Sequence, residues 1–326
     1  MQGVAAMSKL LTVVLLFFGM VWSVASKADY PTEDWMSYLD GYKLITQITV
    51  PGTHDSATDY EHCKLNPACW VSYIYVSTQT YNIHDQLHKG IRFFDIRLAY
   101  EEGDLRLHHS LIYLEQNFAN VVDVAQSFLS AYPSEFVIFL IKQEHTSVSA
   151  DTFWARIHAQ LDNYPTGLFY LTKSVPTVDM ARGKIVIMAR NYTSSYQQGY
   201  HVNWSDNTVH NERNDGDLRY VVEDHYSMTT VPVETKFAEV AQNLYLAELC
   251  ATCGNPKTLY ITFLSGTGVD TPPKDIAKYE NPHLVGWLSD RPGPRPGIII
   301  MDYAGDSSPD LEGDKLIQEV IKQNFY

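Results

Sequence analysis

The chain has 326 residues, a formal net charge of −14 at pH 7 and a hydrophobic share of 45%. This length suits one large α/β domain, and the apolar share is sufficient for a full core. The negative charge argues against nucleic-acid binding, because phosphates require a basic face. It also argues against adhesion to anionic membranes through a polybasic patch.

The first 26 residues form a segment of their own. Lys9 precedes an apolar run over residues 10–22, and the small residues Ala25 and Ser26 follow. A positive residue, a short apolar stretch and a cleavage site with small residues are typical of a secretory signal peptide. An uncleaved membrane anchor is the alternative, although the run is short for a membrane span. We therefore expect a signal peptide over residues 1–26, a mature domain over 27–326 and an extracellular protein.

Four cysteines follow this segment, at Cys63, Cys69, Cys250 and Cys253. Their even count in a secreted chain suits two disulfides, and we favour the local pairs Cys63–Cys69 and Cys250–Cys253. The Cys-x-x-Cys spacing of the second pair leaves a redox or metal site as the alternative. The chain carries no second such motif that would complete a zinc site.

Four apolar runs each deliver charged residues at or near their carboxyl ends. In chain order these residues are His54 with Asp55, Asp95 with Arg97, Lys142 with Glu144, and Asp302. In a barrel of alternating strands and helices, the loops after the strands surround one open face, so we expect these side chains to meet. Asp95 and Arg97 lie two residues apart and would share a strand face, where the carboxylate would bind the guanidinium through both oxygens. The neighbours His108 and His109 would point to opposite faces of the next strand.

Further strands and helices alternate along the chain. The pattern predicts helices over 117–131, 151–163, 233–249 and 310–323, and strands over 183–190, 220–226 and 259–264. The polar residues 192–218 predict a long loop. Because there is no internal repeat and no shift in composition, we expect a single α/β domain, an irregular TIM-type (β/α) barrel.

The charged residues at the strand ends suit the cleavage of a phosphodiester. A neutral histidine accepts the proton of the attacking hydroxyl, and a protonated histidine donates one to the leaving oxygen. Arginine binds the non-bridging oxygens and stabilises the charge that grows in the transition state. Taken singly, each residue also has a structural interpretation, such as an Asp95–Arg97 ion pair. Their joint placement favours a catalytic site.

Four segments carry a resemblance to a known family. They read PGTHD at 51–55, GIRFFDIR at 90–97, LHHS at 107–110 and IKQE at 141–144. They resemble the X-region of phosphatidylinositol-specific phospholipase C, in its bacterial-type, single-domain form. The resemblance implies an enzyme that cleaves phosphatidylinositol or glycosylphosphatidylinositol to diacylglycerol and inositol 1,2-cyclic phosphate. It also implies a catalytic barrel over 27–326 that acts as a monomer in transient contact with a membrane surface.

The resemblance also implies roles for individual residues. His54 would be the general base on the inositol 2-hydroxyl, oriented by Asp302. His109 would be the general acid for the diacylglycerol oxygen, assisted by Asp55. Arg97 would bind the phosphate. Inositol would be held by Lys142, Arg190, Asp224 and Tyr226, with Trp204 stacked on its ring.

A fixed cation takes the place of a metal in this interpretation. Calcium-dependent members of the family carry a carboxylate where this chain has Arg97, so the resemblance implies catalysis without a metal or other cofactor. Two positions depart from the family pattern. Ser110 replaces a glycine that usually follows the acid, and His108 replaces an aromatic residue. His108 is therefore the alternative acid.

Two other functions stay open. A metal-dependent phosphodiesterase acting on glycerophosphodiesters or sphingomyelin would need clustered carboxylates near the first histidine, where Arg97 stands. A non-catalytic lipid-binding barrel would not need the full set of His54, His109, Arg97 and Asp302. The aromatic segment WVSYIYV at 70–76 predicts either an exposed rim that contacts lipid or a lid packed on the core.

Overall fold

The computed structural model describes residues 29–59, 61, 64–145, 148–192, 198–252, 254–294 and 297–326. The signal peptide expected over residues 1–26 lies outside these residues. The described strands are β1 Thr49–Thr53, β2 Phe93–Glu101, β3 Asp104–His109, β4 Ile112–Asn117, β5 Val137–Gln143, β6 Phe169–Tyr170, β7 Ile185–Arg190, β8 Tyr200–Val202, β9 Thr208–Asp215, β10 Leu218–Asp224, β11 Thr258–Phe263 and β12 Gly297–Met301.

Helices separate most of these strands. They are α1 Pro67–Val71, α2 Tyr73–Val76, α3 Ile83–His88, α4 Phe118–Ala131, α5 Ala150–Leu161, α6 Val178–Ala181, α7 Val233–Cys250, α8 Pro273–Ser289 and α9 Gly313–Lys322. Short 3₁₀ helices cover Trp35–Tyr38, Ile45–Gln47 and Gln323–Phe325. None of the helices that the structure describes is long and apolar enough to cross a membrane.

Eight strands pair in parallel, in the order β6-β7-β5-β2-β1-β12-β11-β10. The sheet curls into an irregular barrel, as expected from the alternation in the sequence. β9 pairs antiparallel with β10, β8 runs along β7, and β3 and β4 extend β2 as antiparallel strands. In the described part of the chain no ladder joins β8 to β9. Side chains bridge this opening, where the amide of His201 donates to Asp215 at 2.7 Å and that of Asn203 to the Tyr220 hydroxyl at 2.9 Å.

The central strands are apolar on both faces because they lie between the barrel interior and a layer of helices. All residues of β7, β11 and β12 are buried. Helix α4 shows how the outer layer packs, since Asn117 caps its N-terminus and its apolar stripe is buried against the sheet. This arrangement leaves the carboxyl ends of the parallel strands at one open face.

Elements β8, β9 and α8 differ from the sequence-based prediction. The expected loop over 192–218 contains β8 and the exposed edge strand β9. Strand β9 was not predicted because it is mostly polar and contains no apolar run. The feature of the sequence that could have predicted β9 is the two-residue turn between β9 and β10, at Gly216 and Asp217, where Gly216 has a φ of +62°. Helix α8 was not predicted because proline begins it and Pro282 lies inside it. Proline at the first helical position suits the helix, since its missing N–H has no partner there in any case.

Both described cysteines, Cys69 and Cys250, are disulfide-bonded. Their expected partners, Cys63 and Cys253, lie outside the described residues. The local pairing therefore stays a prediction.

Candidate active site

The ends of β1 and β12 bring His54 and Asp302 together. These strands are adjacent and pair Thr53 with Met301, so the next residue of each lies at the open face. The His54 Nδ1 and Asp302 Oδ1 atoms are 2.9 Å apart. His54 lines a cleft, and its other ring nitrogen, Nε2, lies 3.5 Å from Asp55 Oδ2. The expected pairing of a histidine with an orienting carboxylate is thus present.

The residue directly after each of four predicted site residues has a left-handed backbone conformation. Asp55, Ser110, Asn191 and Tyr303 have φ values of 41°, 54°, 57° and 53°. They follow His54, His109, Arg190 and Asp302 directly. A residue in this region ends the extended backbone abruptly and turns the chain away from the strand direction. At Ser110 the conformation explains why glycine, which adopts positive φ without strain, suits this position.

Arg97 lies among three carboxylates. Its Nε lies 2.8 Å from Asp55 Oδ1, its Nη2 lies 3.0 Å from Asp95 Oδ2, and its Nη1 lies 3.9 Å from Glu144. Burial alone would lower the pKa of the guanidinium, but Asp55 and Asp95 outweigh it and raise that pKa well above its ordinary value. Asp95 is buried and does not line the cleft.

The Asp95–Arg97 pair is confirmed, but the prediction that both carboxylate oxygens take part is wrong. Arg97 Nε and Nη2 both approach Oδ2 of Asp95, and Oδ1 has no hydrogen-bond partner. Oδ2 also accepts from the amide of Asp55 at 3.2 Å. Asp95 does not bind the guanidinium with both oxygens because Asp55 also binds it, at the same Nε atom.

The two neighbouring histidines of β3 point to opposite faces, as alternation requires. His109 lines the cleft, and its Nε2 is 3.3 Å from Asp55 Oδ2. His108 is buried on the other face, 3.2 Å from Glu101 and with its ring 5.7 Å from that of Tyr113. Only His109 of this pair reaches the cleft.

Three cations lie side by side across neighbouring strands. The register pairs Arg97 of β2 with Lys142 of β5, and Lys142 with Arg190 of β7. Paired residues of parallel strands project to the same side, so all three enter the cleft. Glu144, which had no predicted role, lies between two of them, Arg97 and Lys142. It contacts Lys142 at 3.0 Å and accepts from the amide of Ser110 at 3.2 Å.

Arg190 and Asp224 form the far wall of the cleft, and Tyr226 lies at its edge. Arg190 Nη2 is 3.5 Å from Asp224 Oδ2. Trp204 does not line the cleft. Its ring lies 3.9 Å from the guanidinium of Arg190, and its Nε1 donates to Asp224 at 2.8 Å. The predicted stacking of Trp204 on a substrate ring therefore does not fit its position, because the indole supports Arg190 and Asp224 from behind.

The cleft has a volume of about 260 Å³ and holds two histidines whose pKa values diverge. Burial lowers the pKa of His54, but Asp302 and Asp55 outweigh it and hold the pKa above 6.5. Burial lowers the pKa of His109 below 6.5, against a smaller opposing effect of Asp55. When the two histidines together carry one proton, that proton therefore resides mainly on His54.

Within the described residues, one group of three possible metal ligands lies within 4.8 Å, formed by His54, Asp55 and Asp95. Both of its carboxylates face the Arg97 guanidinium. A cation bound there would lie beside that fixed positive charge, which makes the donor set a poor fit for a metal ion.

Comparison with known proteins identifies the same family along nearly the whole chain. Residues 52–191 match the family described as phosphatidylinositol-specific phospholipase C, X domain. A 1-phosphatidylinositol phosphodiesterase of Staphylococcus aureus (strain Newman) is 31% identical over 307 residues, which cover 90% of this chain and 94% of the relative. The enzyme of the same name from Listeria monocytogenes is 26% identical over 322 residues, covering 94% and 89%.

Solved structures agree with this result. A phosphatidylinositol-specific phospholipase C of S. aureus, from work on its membrane binding, has a TM-score of 0.77 at 29% identity and covers 89% of this chain and 97% of that one. The phosphatidylinositol-specific phospholipase C of L. monocytogenes has a TM-score of 0.72 at 25% identity, covering 91% and 100%.

Proposed function

The chain belongs to the phosphatidylinositol-specific phospholipase C family, and we propose that it cleaves phosphatidylinositol to diacylglycerol and inositol 1,2-cyclic phosphate. The observation that carries this proposal is the meeting of two imidazoles at one carboxylate. His54 Nε2 and His109 Nε2 lie 3.5 Å and 3.3 Å from the same oxygen of Asp55, beside Arg97. A phosphodiester bound there would have its attacking oxygen at one ring and its leaving oxygen at the other.

The reaction needs one proton to move at each end. His54 Nε2 takes the proton of the inositol 2-hydroxyl, whose oxygen then attacks phosphorus. The bond from phosphorus to the diacylglycerol oxygen breaks, and His109 donates its proton to that oxygen. Arg97 binds the non-bridging oxygens and stabilises the charge that grows on them. Asp302 stabilises the imidazolium that forms at His54.

The inositol hydroxyls would be bound by the opposite wall. Lys142, Arg190, Asp224 and Tyr226 all line the cleft and supply both donors and acceptors. Such a mixed set suits a polyol, whose hydroxyls donate and accept at once. Glu144 would keep Lys142 in place.

The assay uses purified protein, phosphatidylinositol vesicles and an excess of chelator. We expect inositol 1,2-cyclic phosphate in the water phase, identified by ³¹P NMR, and diacylglycerol in the lipid phase. A parallel incubation with a protein carrying a glycosylphosphatidylinositol anchor tests the second substrate. Activity that disappears in chelator and returns with calcium, or that appears only on sphingomyelin or glycerophosphodiesters, would favour the metal-dependent alternative.

Catalysis also requires contact with a membrane, and we propose that the cleft mouth provides it. Four apolar side chains, Leu65, Ile74, Leu111 and Val269, are exposed by 61%, 59%, 70% and 68%. Tyr75 lines the cleft and donates from its hydroxyl to the carbonyl of Val269 at 3.0 Å. Exposed Ile74 fits the interpretation of this segment as a rim. The surrounding lipid would bury these side chains without any basic patch.

Replacement of both Ile74 and Val269 with serine is expected to weaken binding to phosphatidylinositol vesicles by at least about tenfold, because each buried aliphatic side chain contributes 1.5–3 kcal/mol. Hydrolysis of a monomeric short-chain substrate should not change. Val209, an exposed residue of β9 that does not line the cleft, gives the matched control as Val209→Ser. Equal vesicle binding by all three proteins would contradict a membrane role for the rim.

The pH profile follows from the two pKa shifts. The reactive form has neutral His54 and protonated His109, although the proton prefers His54. The acid limb of kcat/KM then follows the lowered pKa of His109, and the alkaline limb follows the raised pKa of His54. Asp302→Asn removes a charge that raises the pKa of His54, so we expect the alkaline limb to move to lower pH. Movement of the acid limb instead would show that the order of the two pKa values is reversed.

We further propose that a secretory signal peptide covers residues 1–26 and that the protein is extracellular, because the leader pattern is complete in the sequence. The mature barrel would act as a monomer. N-terminal sequencing of the secreted protein and its mass in solution test these statements.

A further inference from the structure

The parallel ladder between β1 and β12 ends just before His54, the proposed general base, and Asp302, the carboxylate that orients it. Its last register pair is Thr53 with Met301, and the amide of His54 still donates to the carbonyl of Met301 at 3.2 Å. Beyond this point the chains turn apart, because Asp55 and Tyr303 adopt left-handed backbone. Strand pairing alone therefore does not hold His54 and Asp302 at their separation of 2.9 Å.

A single side chain, that of Gln79, links both chain ends beyond the ladder. Its Nε2 donates to the carbonyl of His54 at 2.8 Å and to the carbonyl of Met301 at 3.1 Å. Its Oε1 accepts from the amide of Ala304 at 3.2 Å. Both amide protons and the amide oxygen are thus engaged, and Gln79 is fully buried.

The residues beside Gln79 reinforce the same link. The Thr78 hydroxyl donates to the carbonyl of His54 at 3.0 Å, and the Thr78 carbonyl accepts from the amide of Tyr303 at 2.6 Å. The Tyr303 hydroxyl donates to the carbonyl of Ser77 at 2.8 Å. The segment 77–79 therefore forms hydrogen bonds with backbone groups that lie beyond the end of the ladder. Burying these groups without partners would be costly.

We propose that Gln79 is a positioning residue for the His54–Asp302 pair, which it holds by joining the backbone on both sides. This inference rests on the proposed function, in which His54 is the general base. Rotation of a buried rigid amide is limited when all three of its hydrogen-bonding groups are used, so the two strand ends move as one unit. The distance between imidazole and carboxylate is then maintained while His54 gains and loses its proton.

The test compares Gln79→Met, which keeps the length of the side chain and removes its hydrogen bonds, with wild-type protein. We expect kcat on phosphatidylinositol to fall by about 10- to 100-fold at unchanged KM, because a small misplacement of a catalytic group suffices for such a loss. We also expect the pKa of the His54 imidazole, measured by NMR, to fall towards 6.5 as Asp302 loses its fixed distance. Asp55, Arg97 and His109 also face this ring, and the substitution removes none of them.

Gln86 provides the matched control. It is also buried, and its amide donates to the carbonyls of Ser56 and Tyr81 and accepts from the Thr53 hydroxyl. It does not contact the 301–304 segment through these bonds, so Gln86→Met should lose comparable stability with the pKa of His54 unchanged. If Gln79→Met does not fold, Gln79→Asn keeps the amide but is one methylene shorter, and a partial loss of kcat with the same pKa change is expected.

Each outcome decides the question. A Gln79 variant that loses stability but keeps the wild-type kcat and His54 pKa would overturn the proposal, and so would a loss of kcat without a pKa change. A lowered His54 pKa in a protein whose wild type does not cleave phosphatidylinositol would support the positioning role and refute the proposed function.

Discussion

Replacement of Arg97 with lysine is expected to lower kcat by about 10²- to 10³-fold, the usual loss when one preorganised donor is removed from a developing oxyanion. Lysine keeps the positive charge but loses the planar fork. In this site the fork has two tasks. Its Nε and Nη2 are held by Asp55 and Asp95, and in the proposed mechanism the remaining nitrogen, Nη1, which lies 3.9 Å from Glu144, binds the phosphate. One ammonium group cannot bind both carboxylates and the phosphate in the same geometry.

The measurement is kcat and KM on phosphatidylinositol in chelator, with thermal stability recorded in parallel. Arg106→Lys is the matched control, because Arg106 lies on β3 beside β2 and pairs with Glu102 outside the cleft. We expect wild-type kinetics from it. Wild-type turnover by Arg97→Lys would show that only the charge of Arg97 matters, and the directional role of the guanidinium would have to be abandoned.

The architecture could be predicted where an apolar run had a single interpretation. Buried strands such as β5 and β12 read as continuous β-branched and aromatic segments, and helix α4 shows its apolar stripe directly. Strand β9 could not be found this way, since an exposed edge strand has no face to bury. Helix α8 was hidden by prolines whose effect depends on where in the helix they fall.

The site could be predicted where a functional side chain directly follows an apolar run. His54 and Asp302 were found because strand ends converge in any barrel of this kind, whereas Arg190 was assigned to the site from the family resemblance. The stacking of Trp204 on the substrate was predicted wrongly because the sequence does not show that Arg190 lies against the indole ring. Gln79 was missed for a different reason, since its contacts are to backbone atoms of residues that are distant in the chain. No pattern of residue types records such contacts.

Large effects are also expected from the two histidines. His54→Ala and His109→Ala should each lower kcat by at least about 10²-fold, the lower end of the usual contribution of general acid–base catalysis. The two losses should respond differently to the leaving group. An inositol phosphodiester with a nitrophenolate leaving group needs little protonation, so it should restore much of the activity of His109→Ala. It should not restore His54→Ala, because the attacking hydroxyl still has to lose its proton.

His108 supplies the control, since it is adjacent in sequence and points away from the cleft. His108→Phe keeps a ring against Tyr113, so we expect wild-type kinetics on both substrates. A severe loss from His108→Phe with a mild loss from His109→Ala would exchange the two assignments. The geometry argues for His109, because its Nε2 lies 3.3 Å from the Asp55 oxygen that His54 also faces, and a proton released there reaches the leaving oxygen of a phosphodiester bound to Arg97.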